Sequence, residues 1–203
     1  MVTSVDPLHP VELRVLGALI EKDITTPEYY PLTVNSLQNA CNQKSSRDPV
    51  VAYDEQTVEH ALDLLKNKHL VTRISGAGHR VEKWAHRLGE TLNLGRREMA
   101  LLCVLMLRGA QTVGELRGRT ERMHDFADLE EVERVLESLE NLNLVARASR
   151  GRWVQLLGGT PEVEDNQPAA VVRTPLEEKV ENIERELLRL KHQLKEKLGE
   201  SFD

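Results

Sequence analysis

The chain has 203 residues, of which 40% are hydrophobic but only 3% aromatic, and its 27 basic and 33 acidic side chains give a net charge of −6. That length holds two small domains with aliphatic helical cores plus an appendage, and the acidic balance argues against a protein that coats nucleic acid. Residues 1–88 and 89–158 each carry 10 basic and 11 acidic side chains while residues 159–203 carry 7 and 11, so the surplus acid lies in the tail. Either of the first two segments can still present a local basic face.

The apolar run at 101–107 is far shorter than the ~20 residues of a membrane span and reads as a buried helix. The N-terminus shows no basic segment followed by an apolar one, and two cysteines make no disulfide framework, so a reduced cytoplasm is the expected setting, away from any membrane.

In chain order, residues 1–9 read as a frayed lead-in, and Val11, Leu13, Val15, Leu16, Leu19 and Ile20 mark a first helix from Pro10 to about Asp23. Thr33 is placed to cap a second helix and Asp54 a third, in which Val58, Ala61, Leu62 and Leu65 recur at helical spacing until about Lys68. Leu70 to Ile74 then reads as a strand, Gly76 to Arg80 as a turn, and Val81 to Ala85 as the partner strand. A helix followed at once by a β-hairpin is the ending of a winged-helix domain.

The pattern recurs. Val58, Glu59, Leu62, Leu65, Asn67, Leu70, Val71 and Arg73 return as Val132, Glu133, Leu136, Leu139, Asn141, Leu144, Val145 and Arg147, a constant 74 residues on. The offset is 86 between the first helices (Glu12 to Glu98) and 79 between the second (Thr33 to Thr112), so the first copy holds additional residues around 25–31 and 41–49. Loop additions that a second copy does without are candidates for function, although loops also tolerate insertion for no functional reason.

After the second hairpin, Gly158-Gly159 opens a linker with Pro161 and Pro168. Thr174, Pro175 and Glu177 start a final helix, and Leu176, Val180, Ile183, Leu187, Leu190 and Leu194 form a heptad seam flanked by Lys179 with Glu184 and Glu186 with Lys191. That seam is expected to form a parallel coiled-coil homodimer, the competing reading being a helix folded back on its own domains. The expected fold is mainly α with small β-hairpins (α+β): tandem winged-helix domains at 1–88 and 89–158 joined near Leu88 to Leu94, a linker at 159–173 and a coiled-coil helix at 174–203.

The stretches TTPEYYPLTVNSLQNACNQKSSRDPV (Thr25 to Val50) and LRGAQTVGELRGRTERM (Leu107 to Met123) resemble the signature stretches of the YceH-like family of bacterial proteins, over roughly residues 9–157. The resemblance implies a tandem winged-helix fold and a bacterial cytoplasmic setting. It supplies no mechanism and does not reach the coiled tail.

A winged helix most often places its third helix in the DNA major groove and its hairpin on the backbone. In the first copy Gln56, Thr57, Glu59, His60, Asp63, Lys66 and Asn67 face outward, among which Gln56 and Asn67 suit base reading, but acids outnumber bases there. The second copy's third helix is too acidic to approach phosphates. Basic residues lie elsewhere: Arg73 and Lys83 on the first hairpin, Arg147, Arg150 and Arg152 on the second, and Arg108, Arg117, Arg119 and Arg122 along the second copy's first two helices. The nucleic-acid-binding candidates are Lys44, Arg47, Gln56, His60, Lys66, Arg80 and Lys83, and Tyr29 and Tyr30 are candidates for an interaction loop.

Enzymatic readings are weak. Gly76-Ala77-Gly78 lies between strands rather than before a helix, His79 and His86 lack partners at metal-ligand spacing, and Cys41 reads as a small buried thiol. Trp84 and Trp153 should pack the hairpins on the helices. No catalytic residue, metal or cofactor is expected. The reading is a non-enzymatic, DNA-associated and transcription-regulatory protein, with duplex DNA as partner; the alternative is a protein-interaction adaptor with acidic docking surfaces.

Overall fold

The computed structural model describes residues 6–74 and 81–159. The first repeat comprises α1 (Pro10–Thr25), a 3-10 turn (Pro27–Tyr29), α2 (Val34–Cys41), α3 (Glu55–Asn67) and the strands β1 (Val71–Ile74) and β2 (Lys83–His86). A short α4 (Leu88–Leu92) leads into the second, which comprises α5 (Arg96–Arg108), β3 (Gln111–Thr112), α6 (Val113–Thr120), α7 (Leu129–Asn141), β4 (Val145–Ala148), a 3-10 turn (Ser149–Gly151) and β5 (Arg152–Gln155). Among the described residues the fold is therefore mixed α/β, with seven α-helices and small antiparallel sheets. No helix among them is long and apolar enough to cross a membrane.

Local chemistry sets the helix starts. Thr33 accepts a hydrogen bond from Ser36 N at 3.2 Å, Asp54 from Thr57 N at 2.8 Å and Thr112 from Glu115 N at 3.2 Å, so each expected cap satisfies an orphan amide. Both third helices also end alike. The Leu70 and Leu144 amides reach back to the Leu65 and Leu139 carbonyls across a left-handed residue, His69 (φ 59°) and Asn143 (φ 56°), which ends the helix and starts the strand.

The hairpins are equivalent as well. Trp84 sits opposite Arg73 on β1 and pairs on its other side with Leu32, while Trp153 sits opposite Arg147 on β4 and pairs with Gln111 on β3. Both indoles are buried against the helices, as expected. This register starts β2 at Lys83, two residues after the expected Val81, which is exposed.

Two helices form the centre. Val15, Leu16, Ala18, Leu19 and Ile20 of α1 are fully buried, and Met99 through Leu107 of α5 are all buried, because α1 and α5 pack on each other and are covered elsewhere by their own repeats. A Cβ on Gly17 would stand 2.9 Å from Leu107 Cδ2, so the missing side chain is what lets the two helices approach. The core is one cluster running through both repeats, and the described residues, 6–74 and 81–159, belong to one compact unit. The expected junction from Leu88 to Leu94 contains α4, anchored by the fully buried Leu88.

The lead-in is not frayed at residues 6–9. Leu8 is buried and its amide donates to Leu157 O at 2.7 Å, tying the start of the first repeat to the end of the second. His9 then caps α1 while its amide donates to Glu12 Oε2 at 2.8 Å.

Candidate functional site

The loop added between α2 and α3 is built on buried cations. Arg47, expected to face phosphate, has a fully buried side chain whose guanidinium lies 2.6 Å from Glu21 Oε2 and 3.0 Å from Oε1 and also donates to the carbonyls of Ala40 and Ser46. Its assignment to a nucleic-acid surface is corrected accordingly. Helix α1 puts the Glu21 carboxylate behind the loop, and a carboxylate in that position needs a buried counter-charge. Burial works against the ionised Glu21, but the hydrogen bonds and charge of Arg47 prevail and hold its pKa below the usual carboxylate range.

Two further contacts close the loop. Arg14, itself buried, donates to Pro49 O at 2.6 Å, and Asn42 exchanges hydrogen bonds of 2.8 Å with the backbone of Tyr53. Cys41 lies inside this arrangement, and burial, only partly offset by Arg47 and Arg14, pushes its thiol up to about 12. Such a thiol is protonated and inert, in line with its expected role as packing. Cys103 is raised by burial in the same direction.

The other added segment divides its tyrosines. Tyr29 is 72% exposed and remains available for interaction. Tyr30 turns inward and its hydroxyl oxygen accepts a 2.6 Å hydrogen bond from the His86 amide, so it fastens the segment to β2 and is removed from the interaction loop. Burial raises its pKa above the ordinary phenol value.

On α3, Val58, Ala61, Leu62 and Leu65 are buried as expected, while Gln56, His60 and Lys66 are exposed. Gln56 and His60, one turn apart, line a groove of about 540 Å³ together with His9, Val11, Glu12, Thr57, Ala61 and Leu64. Glu12, one of its lining residues, is buried and paired with Lys68 at 2.8 Å. Lys44 is exposed and Lys83 half-buried, and among the described residues neither they nor Lys66 has a carboxylate within ion-pairing distance.

Three of the hairpin arginines are engaged. Arg73 meets Glu82 at 2.9 Å, Arg147 meets Glu137 at 3.4 Å while lying 4.5 Å over the Trp153 ring, and Arg152 meets Glu115 at 3.8 Å. These ion pairs are exposed and weak, yet they cancel the positive charge a phosphate would seek. Arg80 and the proposed dimer seam of Leu176, Val180, Ile183, Leu187, Leu190 and Leu194 lie outside the described residues. Among the described residues no group of three or more His, Cys, Asp or Glu side chains could hold a metal ion.

Residues 8–152 match the family described as "Protein of unknown function, DUF480". The chain is 53% identical over 192 residues to a "UPF0502 protein" of Solibacter usitatus (strain Ellin6076), covering 91% of this chain and 93% of that protein. A "UPF0502 protein" of Serratia proteamaculans (strain 568) is 42% identical over 200 residues, covering 92% and 94%.

Proposed function

We propose that this chain, which belongs to the DUF480 family, is a non-enzymatic tandem winged-helix protein that associates with duplex DNA through its first repeat and acts in transcription. The observation that carries the reading is the outer face of α3. Gln56 and His60 stand exposed one turn apart on a helix held from behind by four buried aliphatic residues, which is what a groove-reading helix requires. The order of helix, bridging strand, helix, helix and hairpin in both repeats supports the winged-helix assignment, and the resemblance to the YceH-like family is compatible with it. In this reading Gln56 pairs with an adenine edge, Lys44, Lys66 and Lys83 meet phosphates, and Tyr29 and the tail's heptad seam serve partner binding and dimerisation.

A second reading has its own observation. Helix α7 exposes Glu130, Glu133 and Glu137 together with Leu129, a face that repels phosphates and suits a basic protein partner. The first repeat then acts as scaffold.

Fluorescence anisotropy with a mixed-sequence duplex at low and physiological salt separates them. The DNA reading expects binding that weakens steeply with salt, and replacing Lys44, Lys66 and Lys83 by Gln should reduce the log–log salt slope by about 0.9 for each phosphate no longer neutralised. Absence of duplex binding even at low salt overturns it, and binding of a basic peptide abolished by Glu133→Gln with Glu137→Gln would establish the adaptor.

A further inference from the structure

A second concavity lies where the two repeats meet. Thr25 and Ser46 of the first repeat face Arg108, Arg119 and Arg122 of the second across a cleft of about 60 Å³. Arg108 is the last residue of α5, Arg119 is in the last turn of α6, and Arg122 follows that helix. They come together because the added loop is stapled across the repeats: Asp48 N donates to Leu107 O at 2.9 Å, and Arg47, clasped on Glu21, donates to Ser46 O at 2.9 Å.

The positive charge here is only partly offset. Glu21, the carboxylate on the cleft wall, is taken up by Arg47 at 2.6 Å and Lys22 at 3.3 Å. Arg119 meets Glu115 at 3.3 Å, but that carboxylate also serves Arg152 and the Thr112 amide. Among the described residues Arg108 and Arg122 have neither a carboxylate within 4.0 Å nor a hydrogen-bond acceptor. Burial, then the charges of Arg119 and Arg47, press the Arg108 guanidinium below its usual pKa, against the opposing charges of Glu21 and Asp48.

Arginines near helix C-termini complement the macrodipole, but that effect needs one cation per helix end and no concavity. Here arginines at or just past the ends of two helices line one cleft together with Ser46. We propose that this inter-repeat cleft binds a phosphate group, with Arg108, Arg119 and Arg122 supplying charge and forked donors and Ser46 a hydroxyl donor. Its volume equals about two waters, enough for one tetrahedral oxyanion and too small for a sugar or base. The phosphate is therefore either one projecting from a nucleic-acid backbone or the terminal group of a phosphorylated small molecule. The site does not depend on α3 reading DNA.

The test titrates the full chain with inorganic phosphate at low chloride, followed by 31P line broadening and calorimetry. Saturable binding is expected, at least ten-fold weaker in Arg108→Gln with Arg122→Gln and largely kept in Arg122→Lys, while circular dichroism confirms that every variant is folded. Absence of saturable binding, or equal binding by the folded double variant, overturns the proposal. A second arm adds duplex DNA. Displacement of phosphate by the duplex identifies a backbone phosphate, whereas phosphate binding untouched by the duplex identifies a small phosphorylated ligand, and in that case the site stands even if α3 binds no DNA.

Discussion

Arg47 shows how one residue's meaning depends on its surroundings. In sequence it is a loop cation beside Lys44, and in the fold its side chain is sealed against Glu21 while Lys44 is exposed. Removing one member of a buried pair strands the other, so Arg47→Met should cost about 3–5 kcal/mol, and the double replacement Arg47→Met with Glu21→Met should recover much of it. Urea denaturation measures both. The pH dependence follows from Glu21, whose pKa is depressed on folding. Its stabilisation is present above the ordinary carboxylate value of 4.5 and is lost as pH falls through the lower folded value. Between pH 5 and 3 the urea midpoint should therefore fall less in Glu21→Gln than in the parent; equal slopes would remove Glu21 from the acid response. The residue-level reading succeeded for Cys41, Trp84 and Trp153, whose size and polarity favour burial in any context. It failed for the buried Arg47 and the half-buried Tyr30, which are held by a specific partner rather than by their own chemistry.

At the scale of elements, α1 and α5 organise the molecule. Their apolar residues run all round the helix, as a fully buried helix requires, and Gly17 is the point of closest approach to Leu107. Gly17→Leu should force the pair apart and lower stability by about 1–3 kcal/mol through overpacking, despite leucine's better helix propensity. Thermal denaturation would show it, and an unchanged midpoint would mean that the core yields at this point. Helix starts, the repeated helix-to-strand transitions and the amphipathic stripe of α3 were legible because capping and periodicity are local. The start of β2 was not, since its register is set by pairing with Leu32 and Arg73, far away in the chain.

At the scale of the molecule, two similar repeats share one core, and the N-terminal Leu8 is tied to Leu157 at the other end of the described chain. A shared core should unfold in one step. Single-tryptophan variants carrying only Trp84 or only Trp153 should give coincident urea curves, and two distinct midpoints would show that the repeats unfold independently. The same packing creates the arginine-lined cleft, whose walls come from both repeats. No reading of either repeat alone contains it, so the two proposed binding surfaces rest on different levels of the structure: α3 on one repeat, the cleft on their union.

The sequence by itself determined the repeat, its order of three helices and a hairpin, the caps at Thr33 and Asp54, the aliphatic stripes and the buried tryptophans, because each depends on residues a few positions apart or on a hydrophobic period that any context preserves. It also placed the chain's surplus acid in the tail. Only the tertiary structure decided that Arg47 is a buried clasp and Tyr30 an anchor, and that Arg108, Arg119 and Arg122 line one cleft with Ser46. Those outcomes depend on which distant side chain arrives opposite a charge or a hydroxyl, and the helical and strand periods that organise the sequence carry no record of that.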